Sequence, residues 1–326
     1  MIDTELDGLV LIEPEVHGDL ASCRATFPAS RESGGSVPNE IEEHRVALGN
    51  NRIFVQSRPG DGPPIVLLHG FPDNTHLYDR LAPRLSPPRR VVAFDFMGYG
   101  RSDKPADYPY GADQQVEELN VVVDGLGLER VVLVCHDMSG PPTIDWALSH
   151  RDRVAGLVLL NTYYGEMPSL GVPKAIRLFS TPGLRSIARL PMRSRRLFRL
   201  AYDRQVSRFF REPAVRDESL PVIRDRFMAG SGSFRAFFAL NEDLWPTVRD
   251  RTEKLYLLRQ FDRPVRIIFG DQDTQLNVGV AERFNELFPD SELFLIPGGH
   301  HFVQMDEPER VAELISSMPI ADAETD

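Results

Sequence analysis

The run Val131-Val132-Leu133-Val134-Cys135-His136-Asp137-Met138-Ser139-Gly140 places a carboxylate where a β-branched strand gives way to a helix. Cys135 and Ser139, two residues to either side of Asp137, are small. A tight strand-to-helix turn needs that when its central side chain is thrust outward. Pro141 and Pro142 suit the first turn of the following helix, where no intrahelical N–H bond is lost. An aspartate here can cap that helix, or it can present its carboxylate to a ligand. With an ordinary pKa of ~3.9 it is ionised at neutral pH and needs no base to attack. Attack on an ester or amide carbonyl would give a reactive anhydride. Displacement at a saturated carbon would give an ordinary alkyl ester, which water can hydrolyse. Four other segments carry reactive or turn-forming residues: His69-Gly70-Phe71-Pro72, Asp95 to Pro105, Gly270-Asp271-Gln272-Asp273, and Gly299-His300-His301.

Each of these segments follows a short apolar run. Strands are expected at His44–Leu48, Arg52–Gln56, Pro64–His69, Arg90–Asp95, Arg130–Cys135, Val154–Leu160, Val265–Phe269 and Leu293–Ile296. Helical patterns separate most of them, at Thr75–Leu85, Asp113–Leu126, Thr143–His150, Val278–Leu287 and Pro308–Ser316. Continuous apolar strands alternating with amphipathic helices imply an α/β fold with a mostly parallel sheet covered on both faces. The alternation breaks once. Between Leu160 and Val265 no strand is evident, and a stretch rich in Arg, Phe, Leu and Pro reads as several short helices. The expected organisation is an N-terminal extension over 1–43, a core over 44–162 and 262–318, a helical insertion over 163–261, and a tail over 319–326.

The turn at Asp137 resembles the nucleophile elbow of the α/β-hydrolase superfamily, with Asp in the place that more often holds Ser. Within that superfamily it looks like the aspartate-nucleophile branch of epoxide hydrolases and haloalkane dehalogenases. The resemblance covers about residues 44–162 and 262–318 and implies an eight-stranded, mostly parallel sheet carrying an inserted helical cap. It also implies site roles. The backbone N–H groups of Phe71 and Met138 would form the oxyanion hole. Asp273, three residues after Gly270, would be the acid, and His301, by its spacing to Pro308, the base. The order nucleophile, acid, histidine is the one this fold uses. Asp271 and His300 are the neighbouring alternatives. Asp95-Phe96-Met97-Gly98-Tyr99-Gly100-Arg101-Ser102 looks like a segment common in the superfamily and is read as a structural turn. By the resemblance, Asp137 would take up the alkyl group, and His301, oriented by Asp273, would activate the water that releases it.

The leaving group decides between the two activities. In the family, an epoxide oxygen takes a proton from cap tyrosines, whereas a halide is held by N–H donors, often from a Trp directly after the nucleophile. A third relative, fluoroacetate dehalogenase, places an Arg there. Here Met138 follows Asp137, Phe71 stands where some dehalogenases place a halide-binding Asn, and Asn161 is not the Glu that some use as their acid. Elimination favours an epoxide hydrolase, with haloalkane dehalogenase as the alternative. Candidate donors or substrate contacts are Tyr163, Tyr164, Tyr202 and Trp245, with Tyr256 a further tyrosine. The stretch from Ser233 to Asn241, where a second tyrosine is often found, has none. A non-enzymatic binding protein on this fold would have no need of Asp137, Asp273 and His301 together.

Composition excludes several other classes. The 326 residues include 42% hydrophobic and 26% charged residues, ordinary for a globular protein. No run approaches the ~20 apolar residues of a membrane-spanning helix, and Met1 to Leu20 lack a signal-peptide pattern. Cys23 and Cys135 form no disulfide framework or metal spacing, so a reducing cytoplasm is the expected compartment. The net charge of −11 argues against a general nucleic-acid binder. That charge is uneven: residues 171–260 hold 19 Lys and Arg against 9 Asp and Glu. The Arg-rich stretch is read as solvated helix faces, or else as steering for anionic or amphiphilic substrates. The expected partner is an apolar small molecule, with no cofactor and no metal.

Overall fold

The computed structural model describes residues 41–85, 89–167, 169–189 and 194–321. All but residues 41–43 of the expected extension, Cys23, and the end of the tail therefore lie outside the described residues.

Eight strands form one sheet among the described residues: β1 (Glu42–Leu48), β2 (Asn51–Arg58), β3 (Asp61–Leu68), β4 (Arg89–Phe94), β5 (Val131–Asp137), β6 (Val154–Thr162), β7 (Val265–Gly270) and β8 (Ser291–Ile296). Their order is β1-β2-β4-β3-β5-β6-β7-β8. The pairs β1–β2 and β2–β4 are antiparallel, and the remaining pairs are parallel. This is the mostly parallel α/β sheet expected. Its central strands are apolar on both sides because helices cover both faces. All nine residues of β6 are buried, as are the first six of β5. Each fully buried Val or Leu there contributes roughly 1.5–3 kcal/mol.

The helices are α1 (Ala82–Leu85), α2 (Ala112–Gly125), α3 (Gly140–Ser149), α4 (Lys174–Ser180), α5 (Arg185–Ala188), α6 (Arg195–Val206), α7 (Pro213–Met228), α8 (Ser231–Glu253), α9 (Val278–Leu287), α10 (Val303–Asp306) and α11 (Pro308–Ser316). The expected helix over Thr75–Leu85 is instead a 3-10 turn at Thr75–Tyr78 followed by α1. Pro83 has no N–H to return to the Asp79 carbonyl, so one helix cannot run through. Asn74 closes the turn by accepting the His76 N–H at 3.1 Å.

Helices α4 to α8 lie in the chain between β6 and β7, as the broken alternation implied. They are not all short. Helix α8 runs 23 residues through Pro246, because it is packed tightly enough to survive the lost hydrogen bond. Ala236, Phe237, Leu240, Val248 and Arg251 on it are all buried. Arg251 ties α8 to the sheet-covering helices: its guanidinium meets Asp113 of α2 at 2.5 Å and Asp145 of α3 at 2.7 Å.

Candidate active site

Asp137 ends β5 with φ +51°, left-handed backbone that a non-glycine residue rarely adopts. Such a conformation costs of order 1–3 kcal/mol and persists only where its surroundings hold it. Three contacts do so. Thr162 Oγ1 donates to the Asp137 carbonyl at 2.5 Å. Ser139 Oγ accepts the His136 N–H at 2.9 Å and donates to the Leu68 carbonyl at 2.9 Å. Gly140 lets the chain pass, since a Cβ there would lie 2.0 Å from Thr162 Oγ1 and 2.5 Å from the Tyr163 carbonyl oxygen. The Ser139 hydroxyl is thus buried and committed to the turn.

The carboxylate of Asp137 faces two backbone donors. Phe71 N–H donates to Oδ2 at 2.9 Å, and the Met138 N–H also bonds the carboxylate. These are the two groups expected as an oxyanion hole. The approach of the Phe71 loop depends on Gly70, where a Cβ would come within 2.7 Å of Asp137 Cβ and 2.8 Å of His136 Nδ1. His69 holds that loop: its Nε2 accepts the Phe96 N–H at 3.0 Å and its Nδ1 meets the Gly70 carbonyl at 2.7 Å. Burial raises the Asp137 pKa, opposed by His301 and by the two N–H donors, with a net upward shift.

His301 Nδ1 lies 2.7 Å from Asp273 Oδ2, and both residues are buried. Burial alone would lower the His301 pKa. The charge and hydrogen bond of Asp273, then Asp137 and Asp73, outweigh it and raise it above its ordinary value. Asp273 is desolvated, but His301 and three hydrogen bonds hold it below the usual carboxylate range. The bonds come from Gln275 N at 2.8 Å, Leu276 N at 3.1 Å and Asn161 Nδ2 at 2.9 Å. The neighbouring candidates point elsewhere. Asp271 accepts the Gly298 N–H at 2.8 Å, and His300 Nδ1 meets the Arg208 carbonyl at 3.1 Å. Asp95 is spent on the backbone N–H groups of Thr75 and Arg101, both at 2.7 Å.

Asp137, Met138, Phe71 and His301 share the wall of one cavity of about 460 Å³, lined mostly by apolar side chains from the sheet loops and from α4, α6 and α8. Tyr163, Tyr202 and Trp245 also line it. The Tyr202 hydroxyl is buried with no hydrogen-bond partner among the described residues. Tyr164 is a correction. It is fully buried outside the cavity and donates to Asp145 Oδ1 at 2.6 Å, beside the Arg251 cluster. Tyr256 is 61% exposed and also outside it.

Three residues gain importance only from the structure. Asn161, with φ +29°, accepts the Gly270 N–H at 3.0 Å while donating to Asp273, so it locks β6 and β7 around the acid. Asn241 donates to the Phe237 carbonyl at 2.7 Å, which leaves its buried Oδ1 as an unpartnered acceptor on a side chain lining the cavity. Asp73 is 2% exposed, and neither carboxylate oxygen has a partner among the described residues. Burial, then the charge of Asp137, push its pKa up to about 7, with His301 opposing. Its place directly after His69-Gly70-Phe71-Pro72 was the one sequence signal available. Among the described residues, no cluster of His, Cys, Asp or Glu could hold a metal ion, and no helix is long and apolar enough to cross a membrane.

Comparison with known proteins places the fold. A family model described as the alpha/beta hydrolase fold matches residues 63–308. Haloalkane dehalogenase 2 of Mycobacterium tuberculosis is 28% identical over 263 residues, covering 78% of this chain and 87% of the relative. Among solved structures, the epoxide hydrolase CorEH superposes with a TM-score of 0.71 at 21% identity, over 85% of this chain and 97% of that one. A loop variant of the haloalkane dehalogenase DbeA from Bradyrhizobium elkanii gives the same TM-score, identity and coverage. At that identity the structural likeness speaks for the fold.

Proposed function

The chain belongs to the alpha/beta hydrolase fold family, and from that premise we propose that it is an epoxide hydrolase working through an alkyl ester on Asp137. The observation that carries the reading is the Asp137 carboxylate itself. It is held in strained backbone at the end of β5, with Oδ2 against the Phe71 N–H at 2.9 Å and in one cavity with His301. A helix-capping aspartate would spend its oxygens on α3, whereas the N–H donors to this carboxylate among the described residues come from Phe71 and Met138, both outside α3. Helices α4 to α8, within residues 163–261, are read as a cap over this cavity.

In the first step, Oδ1 of Asp137 attacks an epoxide carbon. The C–O bond of the ring breaks, and the ring oxygen takes a proton from a cavity tyrosine. Tyr202 is favoured because its buried hydroxyl has no other partner among the described residues, with Tyr163 beside Asp137 as the second donor. Esterification removes the Asp137 charge, one of the groups that stabilise protonated His301. The histidine pKa therefore falls when a neutral base is needed. His301 then takes a proton from water, and the hydroxide attacks the Asp137 carbonyl carbon. The developing oxyanion sits on Oδ2, between the N–H groups of Phe71 and Met138. Collapse breaks the bond to the alkyl oxygen, which takes the proton of the attacking hydroxyl and leaves as the diol, restoring the carboxylate. The proton held by His301 passes back to the tyrosinate. No cofactor enters these steps, and the apolar lining suits an apolar small molecule.

Haloalkane dehalogenation is the second reading, favoured by Trp245 in the cavity wall and by the name of the 28%-identical relative. A screen of epoxides against alkyl halides, reading diol formation and halide release, decides between them. Diol formation that disappears in Tyr202→Phe supports the proposal. Halide release without any diol would replace it with the second reading. Ester hydrolysis with fluorophosphonate labelling would overturn both.

A further inference from the structure

We propose that the mouth of the cavity docks on an anionic lipid surface, so that apolar substrate enters from a membrane rather than from bulk water. The inference uses the cavity as a substrate site and is independent of the reaction carried out there.

Leu178 and Ile187 both line the cavity and are 38% and 62% exposed, which places them at its rim. Leu184 lies between them in the chain and is 46% exposed. Helix α6 lends Phe198, Ala201, Tyr202 and Gln205 to the cavity. It carries Leu197 and Leu200 exposed at 55% and 67% on its other side. Isolated exposed leucines are ordinary, but here two exposed apolar side chains line the cavity and three more stand on the same two segments that wall it. Exposed apolar side chains concentrated in this way mark an interaction surface.

Charge identifies the partner. Residues 167–211 contain eleven Lys and Arg and one acid, Asp203, within a chain whose net charge is −11. Lys174, Arg177, Arg196, Arg204 and Arg208 are exposed and make no ion pair among the described residues. The remainder of the chain is strongly acidic, so an anionic surface attracts this side of the molecule and repels the others. Basic residues among exposed Leu and Ile are the pattern of helices that lie in a bilayer interface. Nucleic acid would call for the arginines but not for the exposed leucines.

The test measures binding of the full chain to vesicles of phosphatidylcholine alone, or with phosphatidylglycerol added, by flotation without substrate. The expected result is binding to anionic vesicles that weakens with salt and is far weaker on neutral ones. Arg177→Gln/Arg196→Gln/Arg204→Gln should lose about fivefold per charge, or roughly a hundredfold together. Leu184→Ser/Leu197→Ser/Leu200→Ser should lose at least about tenfold. Neither set lines the cavity, so turnover of a water-soluble substrate should be unchanged, which also shows that the variants fold. No binding to anionic vesicles would overturn the proposal, as would binding indifferent to the leucine set. Binding of poly(U) through the arginines, with vesicles ignored, would overturn it in favour of nucleic acid.

Discussion

Replacing Asp73 with Asn tests how the buried surroundings of Asp137 are built. The wild-type carboxyl has its pKa raised from 3.8 to about 7 by burial, then by Asp137. The folded protein therefore binds this proton more tightly than the unfolded chain. The stabilisation is fully present below the unfolded pKa and is lost as pH rises through about 7. A shift of about 3 units at 1.36 kcal/mol each corresponds to about 4 kcal/mol. Asn has nearly the same shape and does not ionise. The stability of Asp73→Asn relative to wild type should therefore climb by up to about 4 kcal/mol between about pH 3 and about pH 8. Urea unfolding at intervals across that range measures it, and Glu118, also raised by burial, to about 8, cancels in the difference. In an Asp137→Asn background the climb should shrink, because part of the shift comes from that neighbouring charge. A difference that stays constant with pH would refute the reasoning and show that the Asp73 carboxyl is solvated or partnered.

Asn161→Ala removes a 2.9 Å donor from Asp273. It should cut turnover about tenfold to a hundredfold, the worth of a hydrogen bond to a charged group, and shift the pH-rate profile, where a merely structural loss would not. Hydrolysis of the Asp137 ester should rise with pH through the His301 pKa, because the base is neutral imidazole; stopped-flow ester decay that is flat with pH would contradict this. Arg251→Met strips the buried guanidinium between Asp113 and Asp145 and should destabilise the protein by about 3–5 kcal/mol in urea unfolding. Gly140→Ala forces a Cβ to 2.0 Å from Thr162 Oγ1 and should cost about 3 kcal/mol or more by the same measurement.

The sheet was legible because its strands are near-continuous apolar runs, and only a doubly covered parallel sheet buries such runs on both sides. The elbow was legible because Cys135, Ser139 and the two prolines are local demands of one turn. What escaped the sequence is what depends on tertiary surroundings. The Thr75–Leu85 pattern is amphipathic, yet Pro83 decides it. Tyr163 and Tyr164 are adjacent and chemically equal, and only packing turns one to the cavity and the other to Asp145. Asn161 looked like a missing acid until the fold placed it against Asp273. The weight of Asp73 lies in its burial without a hydrogen-bond partner among the described residues, which no spacing records.

The most direct test of the central claim is to stop the reaction halfway. His301→Gln should leave attack by Asp137 intact and remove the base for the second step. Incubated with an epoxide substrate and digested, that variant should show a mass increase on the peptide carrying Asp137 equal to the whole substrate, because ring opening loses nothing. An alkyl halide trapped by the same variant would add its mass less HX. Asp137→Asn should show no adduct initially. An adduct on Ser139 instead, or normal turnover by Asp137→Ala, would contradict the account.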